Sequence, residues 1–381
     1  MKVICAPDSF KESLSASEAA HAMAAGVRAA EPDAEVDLCP IADGGEGTVD
    51  ALLTATDGEA RTTEVIGPLG DPVIARWGLL GQRRNEPVTA VIEMAAASGM
   101  ALIEPNRRDP TVTSTYGTGQ LIHAALDAKA RRIVLGIGGS ATNDGGCGAV
   151  GALGGRFIGH GGDSMDLPIT GGELHAIHRI DLDGLDERLS QTEIMIACDV
   201  TNPLTGPNGA AHIYGPQKGA SPDQVLNLDD GLKHLVAVMR RQLGRDVEFM
   251  PGAGAAGGMG AGMVAFLAAE LKPGVEMVLK AVGFDNRVQG HHLCFTGEGR
   301  LDGQSMSGKA CLGVAAAAKQ QGVETVALVG AVGLEVDRTL KAGLSAVVVI
   351  GAGLPPEESM RRAGGLVTHA ATQVVCQRRL R

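Results

Sequence analysis

The sequence is poor in aromatic residues, in paired cysteines and in positive charge. Only 2% of its 381 residues are Phe, Trp or Tyr, and its net charge is −11. Few aromatic rings offer little stacking surface for bases, and an acidic chain repels a polyanion, so we expect no nucleic-acid partner. The seven cysteines include no C-x-x-C pair. This disfavours a structural zinc site and predicts buried free thiols in a reducing compartment.

The sequence also contains no uninterrupted apolar run of transmembrane length. Its first residues enter a strand pattern directly, without the apolar core of a signal peptide. These features predict a cytoplasmic protein with no membrane partner; a homo-oligomer is compatible with the sequence. The ten histidines show no H-E-x-x-H spacing and no G-x-S-x-G motif occurs, which argues against metalloprotease and serine hydrolase chemistry.

Glycine is abundant, with 55 residues, and indicates many tight loops. Strand and helix patterns alternate at both ends of the chain, which predicts the α/β fold class. Extended runs between residues 62 and 94 predict antiparallel strands instead. Because the length favours two domains, we expect residues 1–65 and 290–381 to form one parallel-sheet domain. Residues 66–289 would form an inserted central α/β domain of different topology, with polar loops facing a cleft.

A glycine-rich stretch lies near the centre of the chain. The β-branched run from Ile133 to Ile137 predicts a buried strand, and Gly138–Gly146 follow it before a run of small residues that favours a helix. Glycines admit close backbone approach and a helix N-terminus offers N–H groups to an anion, so the loop is a candidate phosphate site. A turn without a ligand, or a dinucleotide-binding loop, is an alternative interpretation.

A second loop carries a pattern close to a P-loop. Residues Gly303 to Lys309 fit G-x-x-x-x-G-K, but Ala310 stands where a P-loop needs a hydroxyl for Mg²⁺, and six residues separate the strand from Gly303. We therefore expect Lys309 to contact a phosphate without a true P-loop around it.

Carboxylates recur in loops that follow predicted strands. Phosphoryl transfer requires carboxylates for Mg²⁺, cations for the phosphates, and a base for the attacking hydroxyl. A single such residue is usually a turn former, whereas a set at equivalent places favours chemistry. The carboxylates are Asp8, Asp43, Glu46, Asp144, Asp199, Glu298 and Asp302, and the candidate cations are Lys11, Lys218, Arg300 and Lys309.

Two other function classes stay open at this point. A nicotinamide-dependent dehydrogenase would use the loop after Gly136 and an acidic residue about 20 positions further on; Asp163 is near that distance but lies in a glycine-rich loop. A non-catalytic nucleotide-binding protein would bind ATP without turnover. The number of carboxylates disfavours it, since binding an anion does not require them.

Seven motifs together resemble the type 1 glycerate kinase family over nearly the whole chain. They are APDSFKESLSA (6–16), ADGGEGT (42–48), GIGGSATNDGG (136–146), CDVTNPLTGPNGAA (198–211), YGPQKGA (214–220), PGAGAAGGMG (251–260) and TGEGRLDGQS with the later GK (296–309). The resemblance implies ATP-dependent phosphorylation of D-glycerate, usually to 2-phosphoglycerate, with Mg²⁺. It further implies a flavodoxin-like domain built from both chain ends. Glu12 departs from the glycine of many relatives, which should affect loop stiffness more than chemistry.

The resemblance does not by itself assign roles to residues, and the following assignments are our own hypotheses. Asp199 would be the catalytic base, because it follows a buried strand and an Asn-Pro turn would hold it; Asp43 is the competing base. The other assignments are Lys11 for catalysis and substrate, Asp8, Ser9 and Asn202 for glycerate, Gly139, Ser140, Asn143, Lys218 and Lys309 for ATP phosphates, and Glu298 and Asp302 for the metal.

Overall fold

The computed structural model describes residues 1–81, 86–301, 310–333 and 343–379. The strands are β1 Lys2–Cys5, β2 Glu35–Leu38, β3 Glu59–Ile66, β4 Pro72–Leu79, β5 Thr89–Glu93, β6 Arg132–Gly136, β7 Arg156–Gly159, β8 Ile177–Asp181, β9 Glu193–Ala197, β10 Glu270–Lys272, β11 Leu293–Leu301, β12 Thr325–Val332 and β13 Ala346–Val349. The α-helices are α1 Ala16–Ala30, α2 Thr48–Thr56, α3 Ala95–Ser98, α4 Tyr116–Asp127, α5 Cys147–Ala152, α6 Ala210–Tyr214, α7 Pro222–Leu243, α8 Ala255–Leu267, α9 Gly274–Val282, α10 Phe284–Val288, α11 Ala310–Gln320, α12 Pro356–Arg361 and α13 Ala363–Arg379.

The chain divides into two compact units. Unit 1 comprises Met1–Asp43, Gly47–Gly58 and Pro273–Arg381, and unit 2 comprises Gly44–Glu46 and Glu59–Lys272. Unit 1 contains a five-stranded parallel sheet in the order β13-β12-β11-β1-β2. Because β2, β1 and β11 are neighbours, the residues that follow β1 and β2 come to the same edge of the sheet.

Helix α1 shows how the sequence sets a boundary in unit 1. Ser15 accepts a hydrogen bond from the Glu18 amide and the Glu18 carboxylate accepts from the Ser15 amide, so the predicted capping box is present. Ala19, Met23 and Val27 recur at helical spacing and are buried. These residues join Val3, Phe295 and neighbouring side chains in the unit's main core.

Helices α1 and α13 pack closely at Gly26. A Cβ atom at this position would lie 2.3 Å from the Thr368 carbonyl oxygen and 2.7 Å from the Ala371 Cβ. The Thr372 hydroxyl donates to the Gly26 carbonyl at 3.1 Å, and the Thr368 hydroxyl donates to the Ala22 carbonyl at 3.0 Å. Gly26 is therefore required by the distance between the two backbones.

Unit 2 contains a mixed six-stranded sheet in the order β10-β9-β6-β5-β4-β3. The pairs from β10 to β5 are parallel, and the β5/β4 and β4/β3 pairs are antiparallel. The predicted antiparallel runs are thus confirmed. The central strand β6 is buried, and its residues Ile133 and Leu135 pack with Ile92 and Ile196 from the adjacent strands. Strands β7 and β8 form a separate hairpin that the sequence patterns did not indicate.

Three local predictions are wrong. Residues Glu298 and Arg300 belong to β11 and not to a loop, because pairing with β12 continues through Glu298, Arg300 and Leu301. The glycine-rich pattern of residues 251–262 also predicts a loop, but α8 already begins at Ala255, although Ala256, Gly257 and Gly258 have left-handed dihedral angles. The sequence pattern further predicts one closing helix over residues 360–375, whereas the structure contains two helices there, α12 and α13. Within the ranges described above, none of the helices has the length and apolarity needed to cross a membrane.

Gly26→Ala should lower the stability of unit 1, because the new Cβ cannot approach the Thr368 carbonyl to 2.3 Å without separating α1 from α13. We expect a loss of about 2 kcal/mol in the free energy of unfolding. Gly365→Ala on α13 is the matched control, since nothing lies within 4 Å of its added Cβ, and it should be neutral or slightly stabilising. Urea denaturation followed by circular dichroism checks both. Equal effects of the two substitutions would contradict the packing argument.

Candidate functional site

Three carboxylates gather at one sheet edge in unit 1. Asp8 follows β1, Asp43 follows β2, and Glu298 lies within β11. The loops are tied together by main-chain hydrogen bonds, from the Asp8 amide to the Gly297 carbonyl and from the Ile41 amide to the Pro7 carbonyl, each at 2.8 Å. The Glu298 side chain is 6% exposed. The structure therefore brings together three of the acidic residues that the sequence indicated.

The charges of this acidic cluster act on Asp8. Desolvation, followed by the nearby charges of Asp43 and Glu298, raises the pKa of the Asp8 carboxyl to about 7, against the opposing effect of hydrogen bonds from Ser9. The Ser9 amide donates to Asp8 Oδ1 at 2.6 Å. Oxygen-rich clusters with crowded negative charge are typical sites for a hard divalent cation.

The loop after Asp8 carries Ser9 and Lys11 next to this cluster. Lys11 is exposed, and its amide nitrogen lies 3.3 Å from the position of a Cβ on Gly299 of β11. Phe10 anchors the loop, since its ring is buried and its amide and carbonyl pair with Leu14. Glu12 has a φ of 63°, a left-handed conformation that glycine adopts more readily. The Glu12 departure therefore falls at a position with a backbone reason for glycine.

In unit 2, the loop after β6 is organised by Asp144. Its carboxylate is fully buried and accepts hydrogen bonds from the Thr115 amide and hydroxyl and from the amides of Gly146 and Gly148. Burial nevertheless raises the pKa of Asp144. Two amides at the start of α5, which the sequence offered to a phosphate, are thus occupied by Asp144. This residue fixes the loop and does not fit a metal or base role.

Lys218 belongs to a short 3₁₀ helix, Pro216–Lys218, and its side chain packs behind the same loop. Its Nζ donates to Ser140 Oγ at 2.8 Å and to the Thr142 carbonyl at 2.7 Å, and the residue is 2% exposed. Burial lowers the pKa of Lys218 to about 7, although the Asp144 charge opposes the shift. The structure therefore joins Ser140 and Lys218, two predicted phosphate contacts, but encloses the lysine amine.

Two further side chains of this loop have unused hydrogen-bonding atoms. Asn143 and Thr142 are fully buried, and the Asn143 amide nitrogen and oxygen and the Thr142 hydroxyl have no hydrogen-bond partner among the described residues. Such atoms are rare in native proteins and frequently mark functional sites. Gly139 contributes its backbone, with a φ of 70° and a carbonyl that accepts from the Met100 amide.

The loop after β9 carries Asp199 and Asn202. Asp199 is exposed. The Asn202 side chain accepts from the Tyr214 hydroxyl at 2.7 Å and donates to the Asn208 carbonyl at 2.8 Å. Its amide oxygen and nitrogen both have partners in the protein, which favours a role in shaping the loop. Asp302 and Lys309, the predicted metal and phosphate residues of the P-loop-like segment, lie outside the described residues.

Asp229 is a loop-fixing residue that our sequence reasoning missed. Its buried carboxylate accepts from the Gly206 amide at 2.8 Å and pairs with Lys233 Nζ at 2.9 Å, while His212 Nε2 lies 3.7 Å away. A signal was present, because Asp229 stands between Val225 and Leu232 at helical spacing on the apolar face of α7. A charged residue on that face predicts a buried partner.

Nearly the whole chain is similar to known proteins. Residues 3–379 match the model of the glycerate kinase family. The chain is 49% identical to the glycerate 2-kinase of Escherichia coli K12 over 91% of this chain and 90% of that protein. It is 45% identical to the glycerate kinase of Bacillus subtilis 168, over 100% of this chain and 98% of that protein. It superposes with a TM-score of 0.88 on a crystal structure named for glycerate kinase 2 of Salmonella typhimurium LT2, at 44% identity, covering 100% of this chain and 98% of that one.

The lowered pKa of Lys218 predicts a pH-dependent stability. Between pH 7 and about 10.4 the unfolded chain binds one more proton at this residue than the native protein, so native stability rises with pH in this window. Lys218→Met has no such group. The free energy of unfolding of the wild type minus that of Lys218→Met should therefore rise by up to about 1.4 kcal/mol per pH unit. Urea denaturation from pH 7 to 10 measures it; a constant difference would mean that native Lys218 stays charged.

Proposed function

The chain belongs to the glycerate kinase family, and from this premise we propose that it transfers the γ-phosphoryl group of ATP to the 2-hydroxyl of D-glycerate. The products are 2-phosphoglycerate and ADP. The observation that carries the proposal is the cluster of Asp8, Asp43 and Glu298 at one sheet edge, because phosphoryl transfer depends on carboxylates that hold a divalent cation. The similarity to glycerate kinases supports the choice of acceptor.

The proposed reaction is an in-line displacement. The glycerate hydroxyl oxygen forms a bond to the γ-phosphorus while the bond from that phosphorus to the β,γ-bridging oxygen breaks, and ADP leaves with the electron pair. The hydroxyl proton passes to the Asp199 carboxylate, whose position after β9 supports this role. Asp43 is the competing base.

We assign Mg²⁺ to the acidic cluster of unit 1, although no group of three or more His, Cys, Asp or Glu side chains among the described residues is arranged to hold a metal ion on its own. The donors are carboxylate oxygens, which hard divalent cations prefer, and the repulsion that raises the pKa of Asp8 would be relieved by a bound cation. Glu298 would hold the ion, with Asp302 as a second ligand by the family resemblance. When bound, Mg²⁺ neutralises negative charge on the phosphates.

Each unit contains side chains that we assign to a substrate. In unit 1, Lys11 and Ser9 would bind the glycerate carboxylate, and Asp8 would accept a hydrogen bond from a glycerate hydroxyl. In unit 2, the loop of Gly139, Ser140 and Asn143 would bind ATP phosphates, supported by the unused amide atoms of Asn143. Lys218 adds positive charge behind this loop, and Lys309 is a further phosphate contact by sequence. Asn202 would shape the glycerate site from its loop.

Phosphorus NMR of the purified protein with MgATP and D-glycerate tests the function. We expect the signals of 2-phosphoglycerate and ADP to grow together, and excess EDTA to stop the reaction. A 3-phosphoglycerate signal would retain the kinase and contradict the proposed regiochemistry. Failure to form either product would contradict glycerate as the substrate.

Asp199→Asn should lower kcat by about 10²–10⁴-fold, because the amide cannot accept the hydroxyl proton. The unfolding temperature should change little, since Asp199 is exposed. Asp183→Asn, which also removes an exposed carboxylate of unit 2, is the control and should keep the wild-type kcat. Steady-state kinetics at saturating MgATP and glycerate measure both variants. If Asp199→Asn retains wild-type kcat while Asp43→Asn abolishes turnover, Asp43 is the base.

A further inference from the structure

The enclosed amine of Lys218 cannot act as an ordinary phosphate-binding lysine. A lysine that contacts phosphate directly presents its ammonium group to the ligand. Here the residue is 2% exposed, and Nζ is directed to Ser140 Oγ and the Thr142 carbonyl. Ser140 is 6% exposed and lies in the glycine-rich loop. The Ser140 hydroxyl is therefore the side-chain group of the loop to which the Lys218 amine is hydrogen-bonded.

We propose that Lys218 is a positioning residue that acts on a bound anion through Ser140, and that it takes up a proton when the anion binds. The inference rests on the proposed function, in which this loop binds the phosphates of ATP. It adds that Lys218 stays behind the loop and that its charge state is coupled to occupancy of the site.

The direction of the Ser140 hydroxyl depends on the charge of Lys218. A serine hydroxyl has one hydrogen to donate and two lone pairs. When Lys218 is protonated, Nζ can only donate, so Ser140 Oγ must accept and its own hydrogen is directed elsewhere. A neutral amine has a lone pair and can accept that hydrogen. Only the protonated lysine therefore fixes Ser140 as a donor to an anionic oxygen.

The surroundings of Lys218 leave its positive charge poorly compensated in the ligand-free protein. Asp144 is the acidic group that acts on it, but four hydrogen bonds from Thr115, Gly146 and Gly148 already occupy the Asp144 carboxylate. Burial lowers the pKa of Lys218 to about 7. An anion bound at Ser140 would raise that pKa and draw a proton from the solvent.

Calorimetric titration with MgATP at pH 8, without glycerate, tests the proton uptake. The apparent binding enthalpy is measured in two buffers of different ionisation enthalpy, and its dependence on the buffer gives the number of protons bound. The terminal phosphate titrates near pH 6, so at pH 8 it contributes little. With a pKa of about 7 in the free protein, the wild type should take up about 0.9 proton per site.

Lys218→Arg retains a positive charge that does not titrate at this pH, so it should bind MgATP with about 0.9 fewer protons taken up than the wild type. Lys319→Met removes an exposed lysine of unit 1 and should behave like the wild type. Binding of MgATP by the wild type without this uptake overturns the inference and leaves the proposed function intact. No binding of MgATP by the wild type contradicts both.

A double-mutant cycle tests whether Lys218 acts through Ser140. Ser140→Ala and Lys218→Met should each weaken MgATP binding by about tenfold, the effect of losing one charge-assisted hydrogen bond. The Kd of the double variant should lie within about twofold of the Kd of the single variant that binds more weakly. Multiplying effects would show that the amine contacts the anion by itself and would overturn the inference. Circular dichroism confirms that each variant is folded. If Lys218→Met does not fold, the same cycle is run with Lys218→Arg, whose shape cannot reproduce the Lys218–Ser140 hydrogen bond.

Discussion

Four hydrogen bonds to one buried carboxylate, that of Asp144, hold the glycine-rich loop of unit 2 in place. The loop has too few side chains to pack into a core of its own, so its shape must come from hydrogen bonds to a fixed acceptor. Gly148 lies so close to Asp144 that a Cβ would stand 2.8 Å from Oδ2 and 2.1 Å from Ser114 Oγ. The loop thus depends on small residues and on a single charge, and Ser140, Asn143 and Lys218 are placed by it.

Both units hold a titratable group in an environment that favours its neutral form. In unit 1, desolvation and neighbouring acids raise the pKa of Asp8, and in unit 2 burial lowers the pKa of Lys218. Each group would be costly in a protein selected for stability alone. A bound divalent cation would offset the negative charge around Asp8, and a bound anion would compensate the buried positive charge of Lys218. The environment in unit 1 therefore favours a bound cation and the environment in unit 2 favours a bound anion, and neither argument depends on the motifs.

The sequence predicted the features that depend on neighbouring residues. Ser15 and Glu18 located the start of α1, and the β-branched run before Gly138 located the central strand. It could not predict features that depend on distant partners. Pairing with β12 extends β11 through Glu298 and Arg300, and Lys218 is hydrogen-bonded to Ser140, which lies 78 positions earlier in the chain. The sequence also could not show that Asp144 differs in role from the acidic residues of unit 1. Asp144 is buried among hydrogen-bond donors, and burial depends on the fold.

The two lysines assigned to anions illustrate how environment divides one residue type into two roles. Lys11 is exposed in the loop after β1, and in the proposed function its side chain contacts the glycerate carboxylate directly. Lys218 is buried, so desolvation disfavours its protonated form and lowers its pKa. Its charge therefore depends on whether an anion is bound nearby. A direct contact by Lys218 would need the loop to open and Ser140 and Thr142 to lose their hydrogen-bond donor. Action through the Ser140 hydroxyl needs no such rearrangement, and for this reason it is the role that the geometry favours.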